Sequence, residues 1–151
     1  SNQLYPECSE RQRFKPAPSF SFRALRIQPY TFGGRRNLQP WVGAGWEGHV
    51  IEQALGELSS QGRALSPYYF RTADQHELDL VLDFGKEIWA VEVKLTSSPS
   101  TDDVARLNKA ADIIKASRRF LVSQTKKPAG TERCLSCDLP TFLEHLRAAG
   151  T

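Results

Sequence analysis

Residues 76–95 read HELDLVLDFGKEIWAVEVKL, and this stretch decides the fold. Two apolar-rich runs, Glu77 to Phe84 and Glu87 to Lys94, flank the dipeptide Gly85-Lys86. A two-residue connection that contains glycine, placed between two such runs, predicts a β-hairpin. The loop length fixes the pairing, so Phe84 is expected opposite Glu87, and each step back along the first strand matches a step forward along the second.

This register gives the hairpin two faces. One face is expected to be wholly apolar and to form the core, with Leu78, Leu80, Leu82, Phe84, Trp89, Val91, Val93 and Leu95. The other face pairs Asp79 with Glu92 and Glu77 with Lys94, and it also carries Val81, Asp83, Ile88 and Ala90. Two carboxylates set directly across a strand pair repel each other unless a cation or a proton lies between them, and a divalent metal is the simplest solution.

Lys94 follows Glu92 by two residues, so its ammonium group is expected on the same face, beside whatever a metal binds. This grouping resembles a catalytic site. From the hairpin alone, an alternative stays open: Glu77 and Lys94 form an ordinary ion pair, while Asp79 and Glu92 lie on a solvated sheet face.

Composition limits the class of protein. A chain of 151 residues fits one domain, and no run of eighteen apolar residues or signal-peptide pattern predicts a membrane segment or secretion. Three cysteines agree with a reducing compartment, so we expect a cytoplasmic protein without membrane contact. The absence of methionine indicates a processed chain or a fragment of a longer one.

The first forty residues differ from the rest. They hold five of the nine prolines and have a net charge of +5, against −2 for the remainder. We therefore expect residues 1–40 to be an irregular basic segment that packs on the core or belongs to a preceding domain, and residues 41–151 to form the main domain. A basic arm is compatible with a polyanionic partner, and a solvated linker is at least as good an explanation.

The segments around the hairpin have recognisable periods. A helix is predicted from about Trp46 to Gly62, and Glu47 lies at the start of its apolar stripe, on the side expected to face the sheet. Stabilisation of the helix dipole is the bland role of Glu47. A strand is predicted at Tyr68 to Thr72.

After Lys94 the chain is expected to alternate helices and strands. Ser97 to Thr101 is a loop that ends in a helix N-cap, and the following helix carries Val104, Leu107, Ala111 and Ile114. The later predictions are a strand at Arg118 to Ser123, a basic loop at Lys126 to Gly130, a short strand at Glu132 to Ser136, and a closing helix capped by Asp138.

The cysteines and histidines suggest no site of their own. Cys134 and Cys137 have the spacing of a zinc pair, but no second pair accompanies them, so buried thiols are favoured. His49, His76 and His145 show no arrangement typical of a zinc site or a catalytic triad.

Taken together, the order helix, three strands, helix, strand, with Glu47, Asp79 and Glu92-x-Lys94 on successive elements, resembles the PD-(D/E)XK nuclease superfamily. The similar core runs from about Trp46 to Gln124. More narrowly, the chain is similar to the domain that follows an AAA-type ATPase module in many bacterial and archaeal proteins; the matching stretches are Trp46-Glu47, YFRT at 69–72, ELDLV at 77–81 and VEVK at 91–94.

The resemblance implies a restriction-endonuclease-like α/β core, α-β-β-β-α-β, with a central mixed sheet flanked by helices. It also implies that Glu47, Asp79, Glu92 and the backbone carbonyl of Val93 bind Mg²⁺ (or Mn²⁺), and that Lys94 positions the attacking water or stabilises charge on the phosphate. The implied partners are nucleic acid, with DNA preferred, and an ATPase domain in the full-length chain.

Three functions follow as expectations. The first is a Mg²⁺-dependent nuclease that hydrolyses phosphodiester bonds, and the second is a catalytically idle module that docks nucleic acid or protein to an ATPase. The third is a plain structural α/β domain, which would require the acidic residues to converge by accident. Phosphate contacts are expected only from Arg35, Arg36, Lys109, Lys126 and Lys127.

Overall fold

The structure is a computed structural model, and it describes residues 27–29, 45–62, 66–72 and 74–149. In chain order the elements are β1 (Ile27–Pro29), α1 (Trp46–Ser60), β2 (Ser66–Arg71), β3 (Glu77–Asp83), β4 (Ile88–Val93), α2 (Thr101–Ile113), β5 (Arg118–Val122), β6 (Ala129–Gly130), β7 (Cys134–Cys137) and α3 (Leu139–Ala149).

One mixed sheet organises the described part of the chain. Its seven strands lie in the order β1-β2-β3-β4-β5-β7-β6. Neighbours from β1 to β4 are antiparallel, β4 is parallel to β5 and β5 to β7, and β6 returns antiparallel to β7. The helix α2 supplies the crossover that a parallel β4–β5 pair requires. The predicted α/β class, with a central mixed sheet flanked by helices, is therefore confirmed.

The hairpin forms with the predicted turn. Leu82 pairs with Trp89 and Asp83 with Ile88, and the Phe84 N–H donates to the Glu87 carbonyl at 3.0 Å. Gly85 has φ of +84°, a backbone conformation that glycine adopts at no steric cost. The turn chemistry thus fixes the register as expected.

Regular pairing of the hairpin stops before the acidic residues. The last regular pair is Leu80 with Val91, and the pairing of β2 with β3 has an irregularity between Tyr68 and Phe70. The predicted continuation of the regular ladder, with Asp79 opposite Glu92, is therefore wrong as a statement of backbone pairing, although the two side chains still meet.

Both faces of the sheet are covered by helices. On one face α1 and α3 pack over a core that includes Leu80, Leu82, Trp89, Val91, Val93, Phe120 and Phe142. On the other face α2 packs over a second core that includes Phe70, Leu78, Val81, Ile88, Ala90, Leu107 and Leu121. The sheet face predicted to be solvated in the bland alternative is hence buried along most of its length.

Several local predictions change. Leu78 belongs to the core under α2 rather than to the same side as Leu80, because the irregularity next to it breaks the strand alternation. Leu95, predicted in the core, is 68% exposed because β4 ends at Val93. Two short strands also lie where irregular structure was expected, β1 at Ile27–Pro29 and β6 at Ala129–Gly130.

The helices begin and end close to their predicted limits. Glu47 lies in the first turn of α1, as predicted. The N-cap of α2 is Ser100, and a capping box joins it to Asp103 in both directions. Asp138 accepts a hydrogen bond from the Thr141 N–H at 3.0 Å and so caps α3. No helix among the described residues has the length and apolar character needed to span a membrane.

The predicted boundary between residues 1–40 and 41–151 stays a prediction. Within the first segment the structure describes only 27–29, which pair with β2 and thereby join the sheet. The other residues of that segment, including the basic Arg35 and Arg36, lie outside the described residues.

Candidate active site

A cleft of about 240 Å³ opens beside the end of the hairpin. It is lined by residues from β2, β3, β4 and α2 and from the loops next to them: Arg71, Gln75, His76, Glu77, Glu92, Lys94, Asp103 and Arg106. Every titratable type except cysteine and tyrosine is present in this lining. The cleft therefore brings acidic and basic side chains together from four elements.

Asp79 and Glu92 form a hydrogen-bonded carboxyl pair at this cleft. Glu92 is buried, with 7% of its surface exposed, and lines the cleft wall. The Asp79 carboxyl group meets that of Glu92, and its Oδ2 also accepts a hydrogen bond from the Val93 N–H at 2.8 Å. That bond replaces the backbone ladder bond that is lost where regular pairing ends, so it ties β3 to the end of β4.

The pair holds a proton. Burial, and after it the negative charge of Asp79, raise the pKa of Glu92 to about 10, against the opposing effect of Lys94. Burial also raises the pKa of Asp79, whereas the Val93 N–H lowers it. The pair behaves as one unit in which Glu92 keeps its proton at neutral pH and donates it to Asp79.

Lys94 is part of the cleft, but its partner differs from the prediction. Its Nζ lies 3.9 Å from Glu92 Oε1, and its side chain is about one third exposed. Glu77 pairs instead with Arg71, with 3.9 Å between Oε2 and Nε. The predicted Glu77–Lys94 ion pair is therefore wrong, because Lys94 lies beyond the end of the regular ladder and turns toward the carboxyl pair.

Glu47 lies near the pair without joining it. Its side chain is exposed on the first turn of α1, and the prediction that it faces the sheet stays a prediction. Its charge nevertheless acts on Asp79 and contributes to the raised pKa of that group. Within the residues that the structure describes, no group of three histidine, cysteine, aspartate or glutamate side chains is arranged to hold a metal ion.

Two residues of the cleft were missed by sequence reasoning. Arg71 and Arg106 line it, whereas the predicted phosphate contact Lys109 does not. Arg71 ends the strand before the hairpin and Arg106 lies one turn into the helix after Lys94. The signal available in the sequence was only their spacing from the acidic motif, and their convergence depends on how α2 crosses the sheet.

The cysteines take separate roles. Cys137 is a free thiol that is fully buried, and burial raises its pKa to about 12. Cys134 is also buried but is disulfide-bonded. The prediction of buried thiols is right for Cys137 and wrong for Cys134.

His145 lies against Arg118, far along the chain from the cleft residues, with 3.0 Å between its Nδ1 and Arg118 Nη2.

The fold and the site define a class: an α/β domain in which a mixed sheet lies between helices. It carries a carboxyl pair, with Glu92 buried and Asp79 partly buried, and an adjacent lysine at a cleft. Residues 42–142 match a protein family described as a domain of unknown function, DUF4143. The match extends over most of the chain and includes Glu47, Asp79, Glu92 and Lys94, so this chain belongs to that family.

Two relatives are uncharacterized proteins, one of Mycobacterium bovis and one of Mycobacterium tuberculosis. Each is 33% identical to this chain over 93 residues, a segment that covers 57% of this chain. The match spans only 20% of each relative, about a fifth of its length. No solved structure matches this chain.

Proposed function

We propose that this domain is a metal-dependent nuclease-like hydrolase of the PD-(D/E)XK type, with a restriction-endonuclease-like core. It cleaves phosphodiester bonds of nucleic acid, and DNA is the preferred candidate substrate. The observation that supports this best is the buried Asp79–Glu92 carboxyl pair beside Lys94 in an open cleft. A buried pair of this kind costs stability, and a catalytic role gives a reason for it.

The chemistry of the pair fits Mg²⁺ or Mn²⁺. Magnesium sites that act on phosphates use one or two carboxylates and leave the remaining positions to water and substrate oxygens. Asp79 and Glu92 supply those carboxylates, with the Val93 carbonyl as a further oxygen and Glu47 as a fourth candidate ligand. Binding of a cation would release the proton that the pair now shares.

Each residue then has a defined task. Asp79 holds the Val93 peptide through the bond to its N–H, and so fixes the end of β4 from which Glu92 and Lys94 project. Lys94 would orient the attacking water or offset negative charge on the phosphate. When bound, the metal would make a water ligand easier to deprotonate.

We further propose that the domain works within a longer, cytoplasmic protein that contains an AAA-type ATPase. The similarity to the ATPase-linked domains supports this, as does the length of the two mycobacterial relatives, in which the matched segment is only a fifth of the chain.

A second candidate is a catalytically idle module that docks nucleic acid or protein to such an ATPase. The specific observation in its favour is the incomplete ligand set, because Glu47 is exposed and the described residues offer no cluster of three metal ligands. This candidate predicts the same fold and cleft without metal-dependent cleavage.

The two candidates are separated by metal titration followed by a cleavage assay. Calorimetry with Mn²⁺ compares the parent chain with a double variant, Asp79→Asn with Glu92→Gln, which keeps side-chain shape while removing charge. Plasmid cleavage is then measured for the parent, for Lys94→Ala, and for Lys86→Ala, a matched control in the exposed hairpin turn.

We expect Mn²⁺ binding to be lost in the double variant, and cleavage to be lost in Lys94→Ala and kept in Lys86→Ala. Binding without cleavage in the parent would favour the docking module. If the parent bound no Mn²⁺, or the double variant bound it as well as the parent, the proposed ligand set would be wrong.

A further inference from the structure

Three cationic side chains enter the cleft from three different elements. Arg71 ends β2, Lys94 follows β4, and Arg106 lies in the second turn of α2. The proposed hydrolysis uses Lys94 alone. The two arginines therefore have no task in that mechanism, although they line the same cavity.

Neither arginine is engaged in a strong ion pair within the described residues. Arg71 Nε lies 3.9 Å from Glu77 Oε2, and Arg106 Nη2 lies 3.5 Å from Asp103 Oδ1. Their side chains are 59% and 68% exposed. Exposed pairs at such distances contribute little to stability.

Arg119 shows what a structural arginine looks like in the same molecule. Its side chain is only 7% exposed, and it bonds Asp112 closely while also donating to the Asn108 side chain at 2.9 Å. Its donors are used within the fold. Arg71 and Arg106, by contrast, are mostly exposed at the cleft. Arg106 Nε donates to the Asp102 carbonyl at 3.4 Å, and Arg71 interacts with the Tyr69 side chain, so a ligand would compete for only part of their donor groups.

We infer that Arg71 and Arg106 bind a phosphate group of the ligand in this cleft, adjacent to the phosphate that would be cleaved. Guanidinium groups match the geometry of phosphate oxygens and form bidentate hydrogen bonds with them. The identification of the ligand as nucleic acid rests on the proposed function. The phosphate chemistry itself rests on the cleft and its cations.

The size of the cleft suits one phosphate unit of a nucleic-acid backbone. Its volume of about 240 Å³ lies below the range of roughly 300–1,000 Å³ that is usual for drug-sized ligands. A phosphate with its sugar is a smaller group than such a ligand, so the cleft has room for one such unit beside the arginines.

Glu77 would compete with the ligand for Arg71. Its carboxylate is the partner of that arginine in the present structure, and it also lines the cleft. A phosphate that binds Arg71 must displace Glu77 and tolerate its negative charge. Removing the charge of Glu77 and removing that of Arg71 should thus change binding in opposite directions.

The test measures binding of a fluorescein-labelled single-stranded DNA of about 12 nucleotides by anisotropy, in EDTA and over a series of salt concentrations. The full chain is compared with Arg71→Gln, Arg106→Gln, Glu77→Gln and the control Lys86→Gln, in the exposed hairpin turn, each checked for folding by circular dichroism. Inorganic phosphate, followed by ³¹P NMR, is the second probe and distinguishes a small phosphate ligand from a nucleic-acid strand.

We expect each arginine variant to bind the strand roughly tenfold more weakly, with a salt slope reduced by about 0.7. Glu77→Gln should bind about two- to fivefold more tightly, and Lys86→Gln should match the parent. Binding of inorganic phosphate alone, still dependent on both arginines, would support the phosphate site and reassign its source to a small molecule.

The inference would be overturned if both arginine variants bound the two probes as well as the parent does, or if Lys86→Gln lost as much affinity as they do. Because no divalent metal is present, this result is independent of cleavage. Arginine-dependent binding in a chain that neither binds Mn²⁺ nor cleaves would preserve the phosphate site and reject the proposed hydrolysis. If the chain cleaved DNA but its binding did not depend on the two arginines, the proposed hydrolysis would be kept and the phosphate site rejected.

Discussion

Replacing Glu92 by Gln should make the free protein more stable at alkaline pH. The substitution keeps the shape and the hydrogen-bonding ability of the side chain but removes its ability to ionise. In the parent, Glu92 is only 7% exposed, and its folded pKa is raised to about 10. In the unfolded chain a glutamate has a pKa of about 4.3.

The sign of the effect follows from proton binding. Between those two pKa values the folded state holds a proton that the unfolded state has released, so the free energy of unfolding falls as pH rises. The fall is at most about 1.4 kcal/mol per pH unit. From about pH 6.5 to about pH 8.5 it amounts to at most about 3 kcal/mol, or roughly 6–12 °C in Tm for a domain of this size.

The assay is thermal unfolding followed by circular dichroism in EDTA at both pH values. The Tm of the parent should fall as pH rises, and the Tm of Glu92→Gln should fall much less. Near pH 8.5 the variant should therefore unfold at the higher temperature. Glu52→Gln, on the exposed side of α1, removes the same charge and should follow the parent. His145, whose pKa is lowered by burial, is common to all three chains.

A parent Tm that stays level over this range would refute the reasoning, since Glu92 would then not be held protonated by the fold. An equal fall in Glu92→Gln would also refute it, because the pH dependence would come from another group.

Two further predictions concern the hairpin turn and the buried thiol. Gly85→Ala places a side chain at φ of +84°, with nothing within 4 Å of the added methyl group, so only backbone strain changes. The free energy of unfolding, measured by urea denaturation, should drop by about 1–2 kcal/mol. A loss no greater than that of the exposed control Lys86→Ala would contradict this. Cys137, with its pKa raised to about 12 by burial, should resist alkylation in the native state and react on unfolding, with the label located by mass spectrometry. A Ser98→Cys variant, exposed in the native loop, supplies the reactive control. If native Cys137 were labelled as fast as Cys at position 98, it would not be protected.

The sequence by itself determined the hairpin, the helices and the class of the fold. A two-residue turn with glycine sets the register from Asp83–Ile88 to Leu80–Val91 by chain geometry alone. The helix limits follow from the apolar period and from capping residues such as Ser100 and Asp138, which act within a few residues of their own positions. Local rules suffice for such features because the interacting groups are close in the chain.

Tertiary structure alone decided the character of the site. The sequence placed Asp79, Glu92 and Lys94 near one another, but their protonation depends on burial between the sheet and α2, which no local pattern encodes. The exposure of Glu47 depends in the same way on how α1 docks.

The pairing of Glu77 with Arg71, and the arrival of Arg106 at the cleft, likewise depend on contacts between distant segments. Burial and charge–charge distances are properties of the packed molecule. The sequence could therefore identify the acidic residues of the candidate site, whereas only the packed structure showed that they share a proton and face two arginines.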